Sequence, residues 1–388
     1  MIDAIPYGRQ DIDADDIAAV EAVLRSDWLT QGPAVERFEQ LVADYVGAKF
    51  ACAVNSATSA LHLACRAIGL GPGDLLWTVP NTFVASANAA LYCGGVVDFI
   101  DIDPATCNLS VSALAAKLAK AEAAKRLPKA VVPVHFGGLS CDMAAIAELA
   151  RRYRFRLIED AAHAIGGDYQ GRKIGDCRYS DIAVFSFHPV KIVTSAEGGM
   201  LVTNNPELHH AAMRLRSHGV TRDPDLMDRE PEGDWYYQQV DLGFNYRLTD
   251  VHAALGISQM RRIDAFIARR RALAERYDRL LSDLPVLTAP RDENATSAWH
   301  LYVIQLDAQH TNKSRKQVFD AMRAAQILVN VHYIPVHLQP YYRRFGFQPG
   351  DYPAAEIYYQ RAITLPLYPT MTDEAQDRVV AALKAALA

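Results

Sequence analysis

The chain has 388 residues, half of them hydrophobic and 22% charged, which supplies a sizeable core and argues against disorder. Lys and Arg total 40 against 45 Asp and Glu, a formal net charge of −5 with a pI near 6.2, the opposite of the basic surplus expected of a nucleic-acid binder. Mean hydropathy is −0.05, no apolar run approaches the roughly 18 residues of a membrane span, and Met1-Ile2-Asp3-Ala4 opens no basic-then-apolar leader, so a soluble cytoplasmic protein is expected.

The first predicted element is a helix with Ile17, Val20 and Leu24 on one stripe. Residues 51–54 are a short apolar run, followed by the polar turn Asn55-Ser56-Ala57-Thr58. Leu61, Ala64, Cys65 and Ile68 then recur at helical spacing until the Gly- and Pro-containing segment 69–74. Residues 75–79 read as a strand, 82–91 as a helix and 96–100 as a strand. A helix rich in Ala and Lys precedes an apolar strand at 130–134. Met143, Ile146, Ala150 and Tyr153 form a helical stripe that leads into a strand at 155–158. Apolar strands alternating with helices predict a mostly parallel sheet covered on both faces.

After about residue 250 the pattern changes. One long helix is predicted over 248–282, then strands at 301–304 and 329–332, then a closing helix capped by Thr372 with Asp373 and Glu374 in its first turn. This gives a large α/β domain over 26–250 and a smaller α+β domain over 251–388, with segment 1–25 packing against the smaller one. Residues 221–234 read as a solvated excursion. The six cysteines form no CxxC pair, so they read as small buried hydrophobes in a reducing compartment, with no metal site.

Four polar features interrupt the large domain. Asn55-Ser56-Ala57-Thr58-Ser59 lies between a strand and a helix, where free backbone amides suit a phosphate, although any Ser/Thr cap looks similar. Glu159-Asp160 ends an apolar strand, where open α/β sheets place ligands; capping of the next helix is the other reading. Lys191 follows the strand and polar turn Ala183-Val184-Phe185-Ser186-Phe187-His188-Pro189-Val190 and stands near Gly198-Gly199. A lysine in a desolvated pocket can form a Schiff base. Gly243-Phe244-Asn245-Tyr246-Arg247 precedes a long helix. Together the four meet the needs of pyridoxal phosphate: an amine, an acid for the ring nitrogen, a phosphate cradle and a flat partner, for which Phe83 is the candidate.

The chain resembles the DegT/DnrJ/EryC1/StrS family of sugar aminotransferases, of the fold type I group of pyridoxal-phosphate enzymes. The resemblance runs over nearly the whole chain and rests on Asp27-Trp28-Leu29-Thr30-Gln31-Gly32-Pro33, Asn55-Ser56-Ala57-Thr58-Ser59-Ala60-Leu61-His62, Glu159-Asp160-Ala161-Ala162-His163-Ala164, Ser186-Phe187-His188-Pro189-Val190-Lys191 and Asn245-Tyr246-Arg247. It implies that Lys191 forms the Schiff base and moves the proton, that Asp160 pairs with the ring nitrogen and that Phe83 stacks on the ring. It further implies that Ala57, Thr58 and Ser186 hold the phosphate, that His163 lies at the ring's polar edge, and that Asn245 serves the cofactor of a neighbouring subunit. A homodimer with shared sites follows from that last point.

Within the family the pattern is most similar to transaminases of pseudaminic acid biosynthesis, through Val331-His332-Tyr333-Ile334-Pro335-Val336-His337-Leu338-Gln339-Pro340-Tyr341-Tyr342. That similarity implies that Tyr7, Leu29, Thr30, Gln31, Gly32, His332, Tyr333, Ile334 and Pro335 contact a nucleotide sugar. The implied reaction moves the amino group of L-glutamate to C4 of a 4-keto-6-deoxy nucleotide sugar, with pyridoxamine phosphate as the intermediate cofactor form. Other keto sugars, such as those leading to perosamine, 4-amino-arabinose or 3-amino sugars, are the alternatives, as is a non-catalytic pyridoxal-phosphate-binding regulator. The dehydratase branch of the family carries histidine where this chain has Lys191. Two departures stand out: Ala57 and Ala196 occupy positions where glycine is usual, so the local loop geometry is in question.

Overall fold

The computed structural model describes residues 3–388. The chain begins with β1 (Ile5–Pro6), α1 (Ala14–Leu24) and α2 (Pro33–Val46), followed by β2 (Phe50–Val54), α3 (Ala57–Ala67), β3 (Leu75–Thr78), α4 (Ala85–Tyr92), β4 (Val96–Phe99), α5 (Val111–Ala123), β5 (Ala130–Val132), α6 (Met143–Tyr153) and β6 (Arg156–Asp160). Two short strands, β7 (Asp168–Tyr169) and β8 (Arg172–Lys173), lead to β9 (Ile182–Ser186), β10 (Gly199–Thr203) and α7 (Pro206–Arg216). The ribbon β11 (Val220–Thr221) and β12 (Gln238–Gln239) precedes α8 (Asp250–Met260) and α9 (Ile263–Leu280). The rest comprises β13 (Val286–Leu287), β14 (Ala295–Thr296), β15 (Tyr302–Leu306), α10 (Arg315–Ala324), β16 (Ile327–Leu328), α11 (Pro340–Arg343), α12 (Pro353–Arg361), β17 (Ala362–Leu365) and α13 (Asp373–Leu387).

A sheet of seven strands in the order β2-β10-β9-β6-β5-β3-β4 forms the centre. Its strands are parallel except β10, which runs antiparallel to both neighbours. Strands β9 and β10 are buried along their whole length, because helices cover both faces and leave no solvent side for polar residues. One face packs on α2, α8 and α9 through Phe38, Val42, Phe185, Ile257 and Phe266. The other packs on α3, α4 and α7 through Leu61, Leu63, Ala87 and Leu215. A second sheet, β13-β15-β17, forms a separate core with α9, α10 and α13.

The predicted helix over 248–282 is two helices. The break falls at Arg261–Arg262, where the Arg262 guanidinium reaches back to the carboxylates of Asp11, Asp13 and Asp16. Side-chain ties to the N-terminal segment thus compete with helix continuation, and propensity alone could not reveal them. Asp16 and Asp13 also form the capping box of α1. On the stripe of α1, Ile17 and Leu24 are 62% and 59% exposed, and the buried side chain of that helix is Asp16. The helix lies against α8, while β1 ahead of it pairs in parallel with β16. In place of the predicted strand at 329–332, β16 ends at Leu328, one bridge joins Asn330 to Thr364, and the chain then turns to pack His332. Helix α4 begins at Ala85, not residue 82, because residues 80–84 form a turn. All six cysteines are free and buried. Among the described residues no helix is long and apolar enough to cross a membrane, and no His, Cys, Asp and Glu side chains cluster in a metal-holding arrangement.

Helix α8 carries the segment ahead of it into place, and Asp250 at its start accepts hydrogen bonds from the backbone amides of Gly32 and Ala34. Its close fit on α2 depends on Gly256, where an added Cβ would sit 2.6 Å from Phe38 Cζ. Phe38 is fully buried against Phe187, with ring centroids 4.9 Å apart, and cannot yield. Alanine gains about 1 kcal/mol of helix propensity over glycine, but overpacking of this kind costs about 1–3 kcal/mol. Gly256→Ala is therefore expected to lower stability in denaturant melts, the reverse of the usual mid-helix trend.

Candidate active site

The carboxyl ends of β2, β6 and β9 and the start of β10 meet at one edge of the main sheet. Gly199 pairs with both Val54 and Ser186, and Asp160 pairs with Val184. Open α/β sheets bind ligands at this edge. A cavity of about 320 Å³ opens there. Of the residues singled out in the sequence, Tyr7, Ala57, Thr58, Phe83 and Asp160 line it, as do His163, Ser186, Lys191, His332 and Tyr333. A wider groove of about 670 Å³ beside the starts of α5 and α6 is lined mainly by acids, hydroxyls and apolar side chains, with Arg152 and no lysine or histidine.

Successive strand residues face opposite ways, and this separates the two acids at the end of β6. Glu159 points away from the cavity to buried His135, whose Nε2 lies 2.7 Å from the carboxylate. The Cys141 amide donates to His135 Nδ1, so the proton sits on Nε2 and is donated to Glu159. Asp160 points into the cavity. Its Oδ1 accepts from the Ala162 amide at 3.1 Å, and its Oδ2 accepts from Ser86 Oγ at 2.6 Å.

Lys191 stands in the turn after β9, its backbone amide bonded to the His188 carbonyl. Burial lowers the pKa of its amine to about 8, with the Asp160 carboxylate opposing the shift. The imidazoles around it are held neutral. Burial depresses the basicity of His163, His332 and His300, and the Lys191 charge adds to the effect in each. His163 Nδ1 accepts from the Gly137 amide at 3.3 Å, so its Nε2 carries the proton and donates to Tyr333 Oη at 3.1 Å. The Tyr333 hydroxyl proton is thereby free for another acceptor. Burial and then the Asp160 charge raise its pKa, which keeps that proton in place.

At the opposite wall, Ser56 caps α3 by accepting from the Ser59 amide. The amides of Ala57 and Thr58, in the first turn, have no carbonyl four residues back within the helix. The positive end of the α3 dipole faces the cavity there. A side chain at Gly199 would collide with this turn, because its Cβ would lie 2.4 Å from the Ser56 carbonyl.

The two glycine departures have different outcomes. Ala57 is the first residue of α3 with no left-handed backbone, so its methyl is accommodated. Ala196 sits at φ +66°, where a Cβ is strained.

Seven expected contacts lie outside the cavity of the single chain. Leu29, Thr30, Gln31 and Gly32 run beside the start of α8, with Thr30 bridged to Thr249. Asn245 bridges Ser217, and Ile334 and Pro335 follow Tyr333 out of the cavity. Sequence reading missed Ser56, Thr82, Glu197 and His300 as lining residues and Ser86 behind them. Ser56 stood inside a quoted motif. Thr82, Ser86 and His300 carried no local signal: Thr82 and His300 reach the cavity, and Ser86 reaches Asp160 behind it, from elements distant in sequence.

A buried amine of lowered basicity, a carboxylate held by two donors, free amides at a helix start and the exposed ring of Phe83 fit pyridoxal phosphate. This fold and donor set define a fold type I pyridoxal-phosphate enzyme. The model of the DegT/DnrJ/EryC1/StrS aminotransferase family matches residues 10–384. The chain belongs to that family, and it is a sugar aminotransferase with pyridoxal phosphate as cofactor. It is 40% identical over 384 residues to the spore coat polysaccharide biosynthesis protein SpsC of Bacillus subtilis, covering 98% of this chain and 96% of the relative. Its structure is similar to that of PseC of Helicobacter pylori, an aminotransferase involved in the biosynthesis of pseudoaminic acid, with a TM-score of 0.90, 29% identity and 99% of each chain covered. It is also similar to a Streptococcus pneumoniae sugar aminotransferase solved in PLP and PMP forms. For the PMP form the TM-score is 0.90 at 28% identity, with 98% of each chain covered.

Two outcomes are expected. Ala196→Gly relieves the strained φ and raises stability by about 0.5–1 kcal/mol in chemical denaturation. Lys191→Met tests the buried amine in cofactor-free protein. The folded pKa of about 8 lies below the model value of 10.5, so the unfolded chain holds more protons between those values and wild-type stability rises with pH across that window. Lys191→Met is therefore more stable than wild type below pH 8, on the order of 1–3 kcal/mol, with the difference vanishing above about pH 10.5.

Proposed function

We propose that the protein transfers the amino group of L-glutamate to C4 of a 4-keto-6-deoxy nucleotide sugar, UDP-2-acetamido-2,6-dideoxy-β-L-arabino-hex-4-ulose, in pseudaminic acid biosynthesis. The observation that carries the reading is the Lys191 amine, lowered to about 8, in one cavity with the Asp160 carboxylate. An amine titrating near neutrality can both take and return a proton. In the cofactor complex the protonated ring withdraws electrons from the reacting carbon, and Asp160 keeps the ring proton in place. The Lys191 Nζ takes the proton from the donor Cα and, in the second half-reaction, returns one to the sugar C4. The Ala57 and Thr58 amides and the Ser186 hydroxyl hold the phosphate, Phe83 covers the ring, and neutral His163 serves its polar edge.

The sugar reading rests on Tyr7, His332 and Tyr333 in the cavity lining. Tyr7 and His332 are in ring contact at 5.4 Å, and Tyr333 presents its hydroxyl from the same side. These groups are neutral donors and acceptors, which suits a sugar. The involvement of the structurally similar PseC in pseudoaminic acid biosynthesis supports the pathway assignment.

The protein acts as a homodimer with shared sites. Among the described residues that line the cavity there is no arginine, and Lys191 is the only lysine. Glutamate carboxylates and a diphosphate therefore need cations from a second copy. Asn245 and the 29–32 segment lie outside the single-chain cavity, and Trp28 and Leu29 are exposed, which supports their serving the neighbour.

Purified with cofactor, the protein should be yellow, and glutamate should bleach it. Lys191→Ala should lower turnover by roughly 10²–10⁴-fold, the usual worth of a positioned acid–base group. Product analysis with a panel of 4-keto and 3-keto nucleotide sugars tests the acceptor. A protein that stays colourless with added cofactor, or a Lys191→Ala variant with full turnover, sinks the reading. Amination of the 3-keto sugars alone overturns the C4 assignment.

A further inference from the structure

We infer that Ser86 is a positioning residue that locks the Asp160 carboxylate and the Phe83 turn together through a directed chain of hydroxyls. The inference rests on the reading of Asp160 as the partner of the cofactor ring nitrogen.

Ser86 is fully buried in the first turn of α4, on the far side of Asp160 from the cavity opening. Its Oγ lies 2.6 Å from Asp160 Oδ2 and 2.8 Å from Thr82 Oγ1. A carboxylate only accepts, so the single Ser86 proton goes to Asp160. Ser86 then accepts from Thr82, which must donate. The chain has one direction, Thr82 to Ser86 to Asp160, and each bond polarises the next in a water-free setting. Thr82 and Phe83 are neighbours in the turn 80–84, so one hydroxyl at α4 fixes both the carboxylate and the turn that carries the aromatic face.

The consequence is electronic as well as geometric. Asp160 Oδ1 accepts from the Ala162 amide, so Ser86 and Ala162 each hold one carboxylate oxygen. With Ser86 in place, both carboxylate oxygens are fixed by donors, and the group is held in the orientation that pairs with the protonated ring nitrogen. Without the Ser86 hydroxyl, the carboxylate loses one of its two fixed donors and is free to turn. A carboxylate that turns away from the ring nitrogen no longer holds the proton there, so that nitrogen is left less protonated. Nothing in the local sequence marks this role, because Ser86 and Asp160 are 74 positions apart.

The test uses holoenzyme loaded with pyridoxal phosphate carrying nitrogen-15 in the ring, whose chemical shift reports the protonation of that nitrogen. Ser86→Ala keeps good helix propensity and adds no bulk. It is expected to move the shift toward the neutral ring and to weaken cofactor binding about tenfold, the scale of a lost hydrogen bond to a charged group. Thr82→Val, which removes only the outer link, is expected to move the shift less and in the same direction. Asp160→Asn is the reference for complete loss of the acid. If Asp160→Asn moves the shift and Ser86→Ala, folded by circular dichroism, does not, the inference is overturned while the Asp160 reading stands. If neither moves it, the Asp160 assignment falls and the inference falls with it.

Discussion

The desolvation of one lysine amine opposite one carboxylate is the constraint on which the rest of this structure depends. Water would hold Lys191 fully protonated at neutral pH. Burial in the cavity at the strand ends brings its pKa down to about 8, and the nearby Asp160 charge keeps it from falling further. The balance requires the amine to be partly withdrawn from water and neither group to be neutralised by a second ion. The surrounding side chains meet that requirement. Three imidazoles near the amine are uncharged, a phenol keeps its proton, and the second acid of the pair faces the opposite side of the sheet, where His135 takes it.

The sheet makes this possible by geometry. Parallel strands β6 and β9 end side by side, so residues 160 and 186 come to the same edge, and the turn after β9 brings Lys191 over it. Antiparallel β10 returns with Gly199 against the start of α3, where a side chain would displace the amides that face the cavity. The Tyr7 and His332 side of the cavity comes from farther away. Tyr7 is held through the backbone bond from the Leu367 amide to its carbonyl, and His332 through the Thr364 hydroxyl at 2.8 Å. Beneath them, Arg270 is fully buried and donates to the carbonyls of Trp299, His300 and Leu367. That guanidinium ties the His300 segment and the Leu367 segment into one wall.

Much of the fold was legible because its signals are local. The alternation of short apolar runs with helical stripes gave the parallel sheet, and Ser56, Ser110, Asp142 and Thr372 cap helices as such residues do. The errors share one cause. The unbroken helix over 248–282 and the strand at 329–332 each followed local pattern, and each yielded to long-range contacts. Arg262 was drawn to three N-terminal acids, and the chain after Asn330 turned to pack His332.

The sequence by itself determined the chemistry available. Lys191, Asp160 and the Ser56-Ala57-Thr58 turn each follow an apolar strand, and a strand end is a local property that places a residue at the sheet edge. It also marked Ala196 as a departure from glycine. Only the tertiary structure decided which groups share the cavity and in what state. It showed that Glu159 faces away, that Ser86 and Thr82 stand behind Asp160, that His300 lies 4.4 Å from His163, and that Ala196 pays in backbone strain while Ala57 does not. Burial and hydrogen-bond direction depend on neighbours brought from elsewhere in the chain, and no spacing along the chain records them.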